Sequence, residues 1–447
     1  MKLPLAPPAW HELLDQPPDW LGRVLALRIG PEVKGRYEHW DRLRHLTPPD
    51  GLEPTEWWAA IKLARMAIAR PLPFLDKQRQ PFTVALTDSI QRKLFFVARD
   101  AAGALRGADQ PQPDANREQF LFRSLMEEAM TSSQLEGAAT TTQVAKDMLR
   151  SGRAPRDYGE RMIVNNFATM RELRHWAGQP LTPETVFEIH RMLTDGTLGD
   201  PGSAGRFRRH DENIVVEDEI GTLLHMPPDA AELPARMRTL CDFANQRDDD
   251  TDFVHPVVRA ILIHFMIGYD HPFVDGNGRT ARALFYWSML KSGFWMAEYI
   301  SISSILRQAP AQYTRAYLHT ESDAGDATYF LAHQLDVLLK AIEGVHAYIT
   351  RKQQARREAE NLLSPQSLLS RRLNHRQRAL LLNALKHPGK PFNIAEHQRA
   401  HGVVYQTARS DLLGLVDAGL MRQERDGRQH VFLATGNLGK RLQVQDA

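Results

Sequence analysis

The stretch His271-Pro272-Phe273-Val274-Asp275-Gly276-Asn277-Gly278-Arg279-Thr280-Ala281-Arg282 constrains the fold of this 447-residue chain more than any other. An apolar run over 255–269 has helical character, and Pro272 prevents its simple continuation. Gly276 and Gly278 permit backbone angles that other residues resist. A second helix is predicted from about Gly278, because Ala281, Leu284, Phe285 and Ser288 follow at helical spacing. The segment must therefore fold as helix, bend, helix. The bend aims the unpaired N–H groups of the second helix at one spot, where the helix dipole favours negative charge. Arg279 and Arg282 lie three apart and extend over one face of its first turns. Two guanidiniums beside such a nest make a polyphosphate the natural ligand. Asp275 at the rim could hold a magnesium ion bridging phosphates, and His271 on the other lip could take a proton from an incoming hydroxyl.

Each feature alone has an ordinary reading: a glycine turn, a histidine ending a helix, a solvated arginine pair. Their convergence within twelve residues is what points to chemistry. A calcium loop is excluded, since placing Gly278 sixth would put Phe273 and Leu284 at liganding positions. A phosphate-binding loop of the Gly-Lys-Ser/Thr type is excluded because no such triplet follows. Composition removes broader classes. Hydrophobic residues are 43% and charged residues 25%, as in soluble globular proteins. The single cysteine, Cys241, rules out an internal disulfide and suits a reducing compartment. A formal charge of +2 argues against a nucleic-acid-coating protein. Prolines interrupt the N-terminal MKLPLAPPAW, which does not read as a signal peptide. The most apolar stretch, 257–269, contains Arg259 and His264, so no membrane span is expected. The expected location is cytoplasmic.

The twelve residues match every fixed position of the Fic motif, His-Pro-Phe-x-Asp-Gly-Asn-Gly-Arg-x-x-Arg. The chain therefore resembles the Fic family, usually protein adenylyltransferases, which move AMP from ATP to a Ser, Thr or Tyr hydroxyl of a protein. By that resemblance His271 is the general base and Asp275 the magnesium-holding carboxylate. Gly276, Asn277 and Gly278 form the anion nest of the ATP site; Arg279 grips phosphate within it, and Arg282 pairs with the γ-phosphate. Phe273 fixes the loop. Upstream, Thr131-Ser132-Ser133-Gln134-Leu135-Glu136-Gly137 resembles the family's inhibitory motif, with Ser132, Glu136 and Gly137 matching. The resemblance implies that Glu136 pairs with Arg282 and keeps the γ-phosphate from a productive pose, because a carboxylate and a phosphate compete for one guanidinium fork.

The resemblance and the periodicity together give a mainly α fold: a Fic-type helical core with a β-hairpin flap, an N-terminal helical segment and a C-terminal winged helix-turn-helix. The expected boundaries are 1–105 for the helical segment, 106–117 for a linker, and 118–345 for the Fic core with its inhibitory helix at 118–137. A helical linker at 346–370 and the winged helix at 371–447 follow. In the core, Asn213–Val216 and Thr222–Leu224 read as a hairpin around an acidic turn. That is where the family docks its targets by strand addition. The terminal segment carries thirteen Lys/Arg and six Asp/Glu, a net of +7, against −5 for the remainder. Its predicted third helix begins Val404-Tyr405-Gln406-Thr407-Ala408-Arg409, and Arg428 sits at the wing tip. DNA is thus an expected partner of that segment. A protein substrate, the chain itself included, is expected at the bend with ATP and Mg2+; homodimerisation stays open. The same nest would also serve AMP removal, another nucleotide donor, or a nucleotide-sensing DNA-binding regulator.

Overall fold

The computed structural model describes residues 2–9, 22, 25–49, 51–102, 115–247, 249–363, 372–387, 389–426, 429–436 and 438–446. Most of the expected linker at 106–117, the end of the expected helical linker at 364–370, and Arg428 lie outside the described residues. The chain divides into two compact units, one of Met1–Ala104 with Phe122–Glu343, the other of Leu105–Leu121 with Gly344–Ala447. Among the described residues no helix is long and apolar enough to cross a membrane.

The first unit opens with α1 (Trp40–Leu43) and α2 (Pro54–Met66), followed by β1 (Ala69–Leu75) and β2 (Pro81–Ala85), then α3 (Asp88–Ala102). The β1–β2 hairpin corrects the expectation of a purely helical N-terminal segment. Leu72 and Phe74 point inward on β1, and Phe82 and Val84 on β2, so the period is two. Pro71 and Pro73 occupy exposed positions of an antiparallel pair, where a missing donor is tolerated. On α2 the face made by Trp57, Trp58, Ile61 and Arg65 is buried. Arg65 is satisfied there by the carbonyls of Pro31 and Glu38 and by the Tyr329 hydroxyl.

Next come α4 (Ala115–Leu135), α5 (Thr142–Ser151), α6 (Tyr158–Trp176) and α7 (Pro183–Thr194), then β3 (Val216–Glu217) and β4 (Leu223–His225). The unit continues through α8 (Leu233–Ala244), α9 (Pro256–Asp270), α10 (Asn277–Lys291), α11 (Ile302–Leu306) and α12 (Pro310–Ser322), and ends within α13 (Thr328–Leu362), whose residues from Gly344 belong to the second unit. Proline at the first turn sets the starts of α7 and α9, and Thr182 accepts a capping bond from the Thr185 N–H. The helices α9 and α10 form the centre. Nearly every α9 side chain from Val257 to Asp270 is buried, including His264, whose Nε2 meets the Tyr313 hydroxyl at 2.7 Å. An apolar, centrally packed pair of helices holds the bend between them in one place.

The second unit contains α14 (His375–Lys386), α15 (Ile394–His401) and α16 (Tyr405–Asp417), then the antiparallel strands β5 (Met421–Asp426) and β6 (Gln429–Ala434), then α17 (Leu438–Asp446). Its core gathers Leu380, Leu381, Leu412, Leu415, Leu420, Phe432 and Leu442. Asp411 ties three elements together by accepting from Arg376, Asn374 and His397.

Candidate active site

The bend is closed by its own side chains. The Phe273 N–H donates to Asn277 Oδ1 at 2.9 Å, and Asn277 Nδ2 returns a bond to the Phe273 carbonyl at 2.8 Å. This ring fixes the turn that α10 starts from. Phe273 is fully buried, and His190 of α7 stacks on it with centroids 3.8 Å apart. The Gly205 N–H donates to His190 Nδ1, so the ring proton sits on Nε2 and donates to the Asp275 carbonyl at 2.9 Å. Burial pushes this imidazole down to about 4, which keeps it neutral in that role. Gly276 adopts φ +81°, and a Cβ there would meet Thr194 Cγ2 at 2.7 Å. Glycine is needed at that position for both reasons.

His271 caps α9 in a left-handed conformation, φ +45°. Its Nδ1 lies 3.3 Å from the Gly268 carbonyl, a contact that favours the tautomer with the proton on Nδ1 and the lone pair on Nε2. Burial lowers the imidazole to about 4, against the Gly268 contact and the Glu136 carboxylate, which favour protonation; His225 and Arg208 add to the lowering. The ring is therefore neutral near pH 7 and able to accept a proton. Arg208 props this turn from outside: its Nε donates to the His271 carbonyl and its backbone N–H to the Pro272 carbonyl, both at 2.8 Å. Behind the hairpin, His225 of β4 bonds the Tyr269 carbonyl and Glu321, so the flap is anchored to the end of α9.

The two arginines differ. Arg279 is buried, donates to the Leu193 carbonyl at 2.9 Å and lies 3.4 Å from Asp275 Oδ2. Arg282 is also buried, and its partners come from the last turn of α4 and the residue just after it. Its Nε donates to Ser132 Oγ at 2.9 Å, and one terminal nitrogen donates to the Ser132 carbonyl at 3.0 Å and Glu136 Oε1 at 2.8 Å. Burial works to raise the Glu136 carboxyl, but Arg282, with help from Arg279 and His271, holds it below the ordinary glutamate value. Gly137 follows in a left-handed conformation, φ +92°, and the Ala138 N–H returns to the Ser133 carbonyl, which closes the helix just beside the carboxylate. A Cβ on Gly278 would lie 2.1 Å from Glu136 Oε1. The carboxylate thus rests against the start of α10, where the nest faces.

Asp275 suits a shared cation. Its side chain is 44% exposed, with Oδ1 taking the Gly276 N–H and Oδ2 lying 3.5 Å from the Tyr158 hydroxyl. Among the described residues no three His, Cys, Asp or Glu side chains converge to hold a metal. A cation here would take one protein carboxylate and fill its remaining positions with phosphate and water oxygens, as magnesium does.

The structure brings His271, Asp275, Gly276, Asn277, Gly278, Arg279 and Arg282 to one bend and lays Ser132 and Glu136 on Arg282. Sequence reasoning missed His190 and Arg208, which bond to the bend from distant segments. His190 sits on the inward face of α7, at the helical spacing of Val186, Ile189 and Leu193, and that is its only signal in the sequence.

Comparison with known proteins agrees with the motif. Residues 180–289 match the model of the Fic/DOC family. The chain is 35% identical over 118 residues to Protein adenylyltransferase Fic of Nematostella vectensis, covering 26% of this chain and 24% of that protein. It is 25% identical over 221 residues to Protein adenylyltransferase Fic of Drosophila mojavensis, covering 49% and 41%. It spans less than half the length of these curated relatives. Among solved structures, a Fic family protein from Desulfovibrio desulfuricans G20 superposes with a TM-score of 0.48 at 20% identity, covering 77% of this chain and 96% of that one. Ser132 and Glu136 lie outside the matched span of the family.

Proposed function

We propose that this chain, a Fic/DOC family protein through residues 180–289, is a protein adenylyltransferase that moves AMP from Mg-ATP to a Ser, Thr or Tyr hydroxyl. Glu136 restrains it. The observation that carries this reading is the pairing of Arg282 with a carboxylate from α4 beside a bend that holds a neutral imidazole. In this reading the acceptor hydroxyl gives its proton to His271 Nε2 as its oxygen attacks the α-phosphorus. The bond from that phosphorus to the bridging oxygen breaks, and pyrophosphate leaves. The N–H groups at the start of α10 and the arginines stabilise charge on the phosphates, an electrostatic contribution available only in a dry, preformed site. Asp275 would hold magnesium, which neutralises phosphate charge when bound. With Glu136 on Arg282, the γ-phosphate loses its guanidinium, and the triphosphate settles out of line for attack.

The second unit supports a narrower reading. Three helices and a hairpin in the order α14, α15, α16, β5, β6 suit a winged helix-turn-helix, with Tyr405, Gln406 and Arg409 exposed at the start of α16. A nucleic acid would meet that face.

The reaction is tested by incubating wild type, Glu136→Gly and His271→Asn with α-labelled ATP and cell lysate. Asparagine tolerates the left-handed backbone at 271 but cannot act as the base. Label on a discrete protein band should rise in Glu136→Gly by about tenfold or more, the worth of one charge-assisted hydrogen bond. It should fall in His271→Asn by about 10²- to 10⁴-fold. Equal labelling by wild type and His271→Asn would refute the assignment.

A further inference from the structure

The helix α4 is buried on two sides, which is unusual for a helix rich in polar residues. Met126, Ala129 and Met130 pack into apolar clusters with Phe167 of α6 and with Ala145 and Met148 of α5. The other side carries Glu128, Ser132 and Glu136 at a spacing of four, so they form one stripe. Ser132 and Glu136 hold Arg282. Glu128 is 1% exposed and engages a different partner. One of its oxygens accepts from Ser301 Oγ at 2.8 Å and from the Ser303 N–H at 3.1 Å. The other accepts from Ser303 Oγ. Thr131 Oγ1 adds a contact to Ser301 Oγ at 3.3 Å. The serine turn is in turn fixed to α10. The Ile302 N–H donates to the Tyr286 hydroxyl at 2.9 Å, and Tyr286 lies one helical turn beyond Arg282.

A buried carboxylate is costly unless its lone pairs are filled, so this arrangement has one low-energy setting. A slip of α4 by one residue moves each side chain about 1.5 Å along the axis and about 100° around it. Such a slip would empty the Glu128 cradle and leave the Ser303 N–H without an acceptor. We propose that Glu128 is a positioning residue for the brake. Its cradle at Ser301–Ser303 sets the register of α4, so that Ser132 and Glu136 arrive on Arg282. This rests on the reading of Glu136 as a restraint on the γ-phosphate.

The test compares Glu128→Gln and Ser303→Ala, each alone and combined with Glu136→Gly. Glutamine keeps the shape of Glu128 but turns an NH2 donor toward serine donors, and Ser303→Ala removes a donor from the opposite side without touching α4. The readout is the ratio of ATP to ADP affinity by titration calorimetry, which isolates the contact of the γ-phosphate, with self-labelling measured in parallel. Glu128→Gln and Ser303→Ala should each raise the ratio, on the order of tenfold for the loss of one hydrogen bond to a charged group, and should add nothing in the Glu136→Gly background. The proposal is overturned if Glu136→Gly raises the ratio while neither other variant moves it, even when their melting temperatures fall. It is also overturned if their effects multiply with that of Glu136→Gly, since the cradle would then act outside the brake. If Glu136→Gly itself leaves the ratio at the wild-type value, the brake reading fails first and the role of Glu128 falls with it.

Discussion

The bend at 271–282 and the helix end at 128–137 meet at Arg282, yet they are held by opposite means. The bend closes mainly on itself, through the Phe273–Asn277 ring, the Asp275 contact with the Gly276 N–H and the left-handed turns at His271 and Gly276. The helix end closes its backbone locally, through the Ala138 N–H on the Ser133 carbonyl, but its carboxylates do not. Its polar stripe finds its partners about 150 residues away, in Arg282, and further still in the serine turn. A site wired locally keeps its shape when its neighbours move. One wired at long range is released by a small shift of a single helix. That division suits a catalytic loop that must stay preformed and a restraint that must be removable.

The sharpest way to break this contrast is Gly276→Ala. The substitution forces a side chain onto φ +81° and brings a Cβ to 2.7 Å from Thr194 Cγ2, so the bend itself must shift. Misplacing a reacting group by about 1 Å costs on the order of 10²-fold in rate. Labelling should fall by about that factor in wild type and in Glu136→Gly alike, because the damage lies in the loop and not in the brake. Self-labelling with α-labelled ATP in the two backgrounds measures it. A loss seen only in one background would mean that the bend and the brake are not separately wired.

Ser132→Ala should act with the opposite sign and a smaller size. It removes the oxygen that receives Arg282 Nε while leaving the carbonyl and Glu136 contacts in place. Loss of one hydrogen bond to a charged group should raise labelling by about three- to tenfold, less than Glu136→Gly, with the melting temperature little changed. A decrease in labelling would show that Ser132 supports Arg282 for catalysis and does not hold it back.

The same contrast explains what the sequence could disclose. The bend was legible because its chemistry and its geometry occupy the same twelve residues. The boundaries of α9 and α10 followed from Pro272 and the glycines to within about two residues, the usual margin of such boundaries. Glu136 was legible as a residue, through its place before Gly137, but Glu128 was not, because a buried acid and an exposed one look alike in a helical pattern. His190 and Arg208 were invisible for the same reason: their partners are backbone carbonyls in a distant segment. The β1–β2 hairpin was missed although its alternation is present at Leu72, Phe74, Phe82 and Val84, and the two prolines of β1 weaken that alternation as a strand signal. The helices α11, α12 and α17 are short or weakly patterned, and packing rather than periodicity makes them helical.

The smallest expected effect separates the two regions by pH. Burial lowers His39 to about 3 and His190, His271, His319 and His333 to about 4, and it lowers His264 as well. In the unfolded chain these imidazoles bind protons near pH 6.5, so between 6.5 and about 4 the unfolded state binds more of them than the folded state does. Stability must therefore fall as pH drops through that window. Asp270 opposes the trend, since burial, only partly offset by Arg236, raises its carboxyl to about 6 and the folded state takes up that proton first. One carboxyl stands against these imidazoles and that of His401, which burial also lowers, so the melting temperature should be flat above about pH 7 and decline steadily toward pH 5. The bend contributes His190 and His271 to this decline. The brake contributes Glu136, whose carboxyl Arg282 holds below the ordinary glutamate value, so it takes up no proton as the pH falls from 7.5 to 5. Melting followed by circular dichroism from pH 7.5 to 5 should therefore give parallel profiles for wild type and Glu136→Gly, and a slightly shallower one for His271→Asn. Because the Glu136 carboxylate favours protonation of His271, a profile for Glu136→Gly clearly steeper than that of wild type would show that the brake sets the protonation of the bend, and that the two regions are electrostatically one.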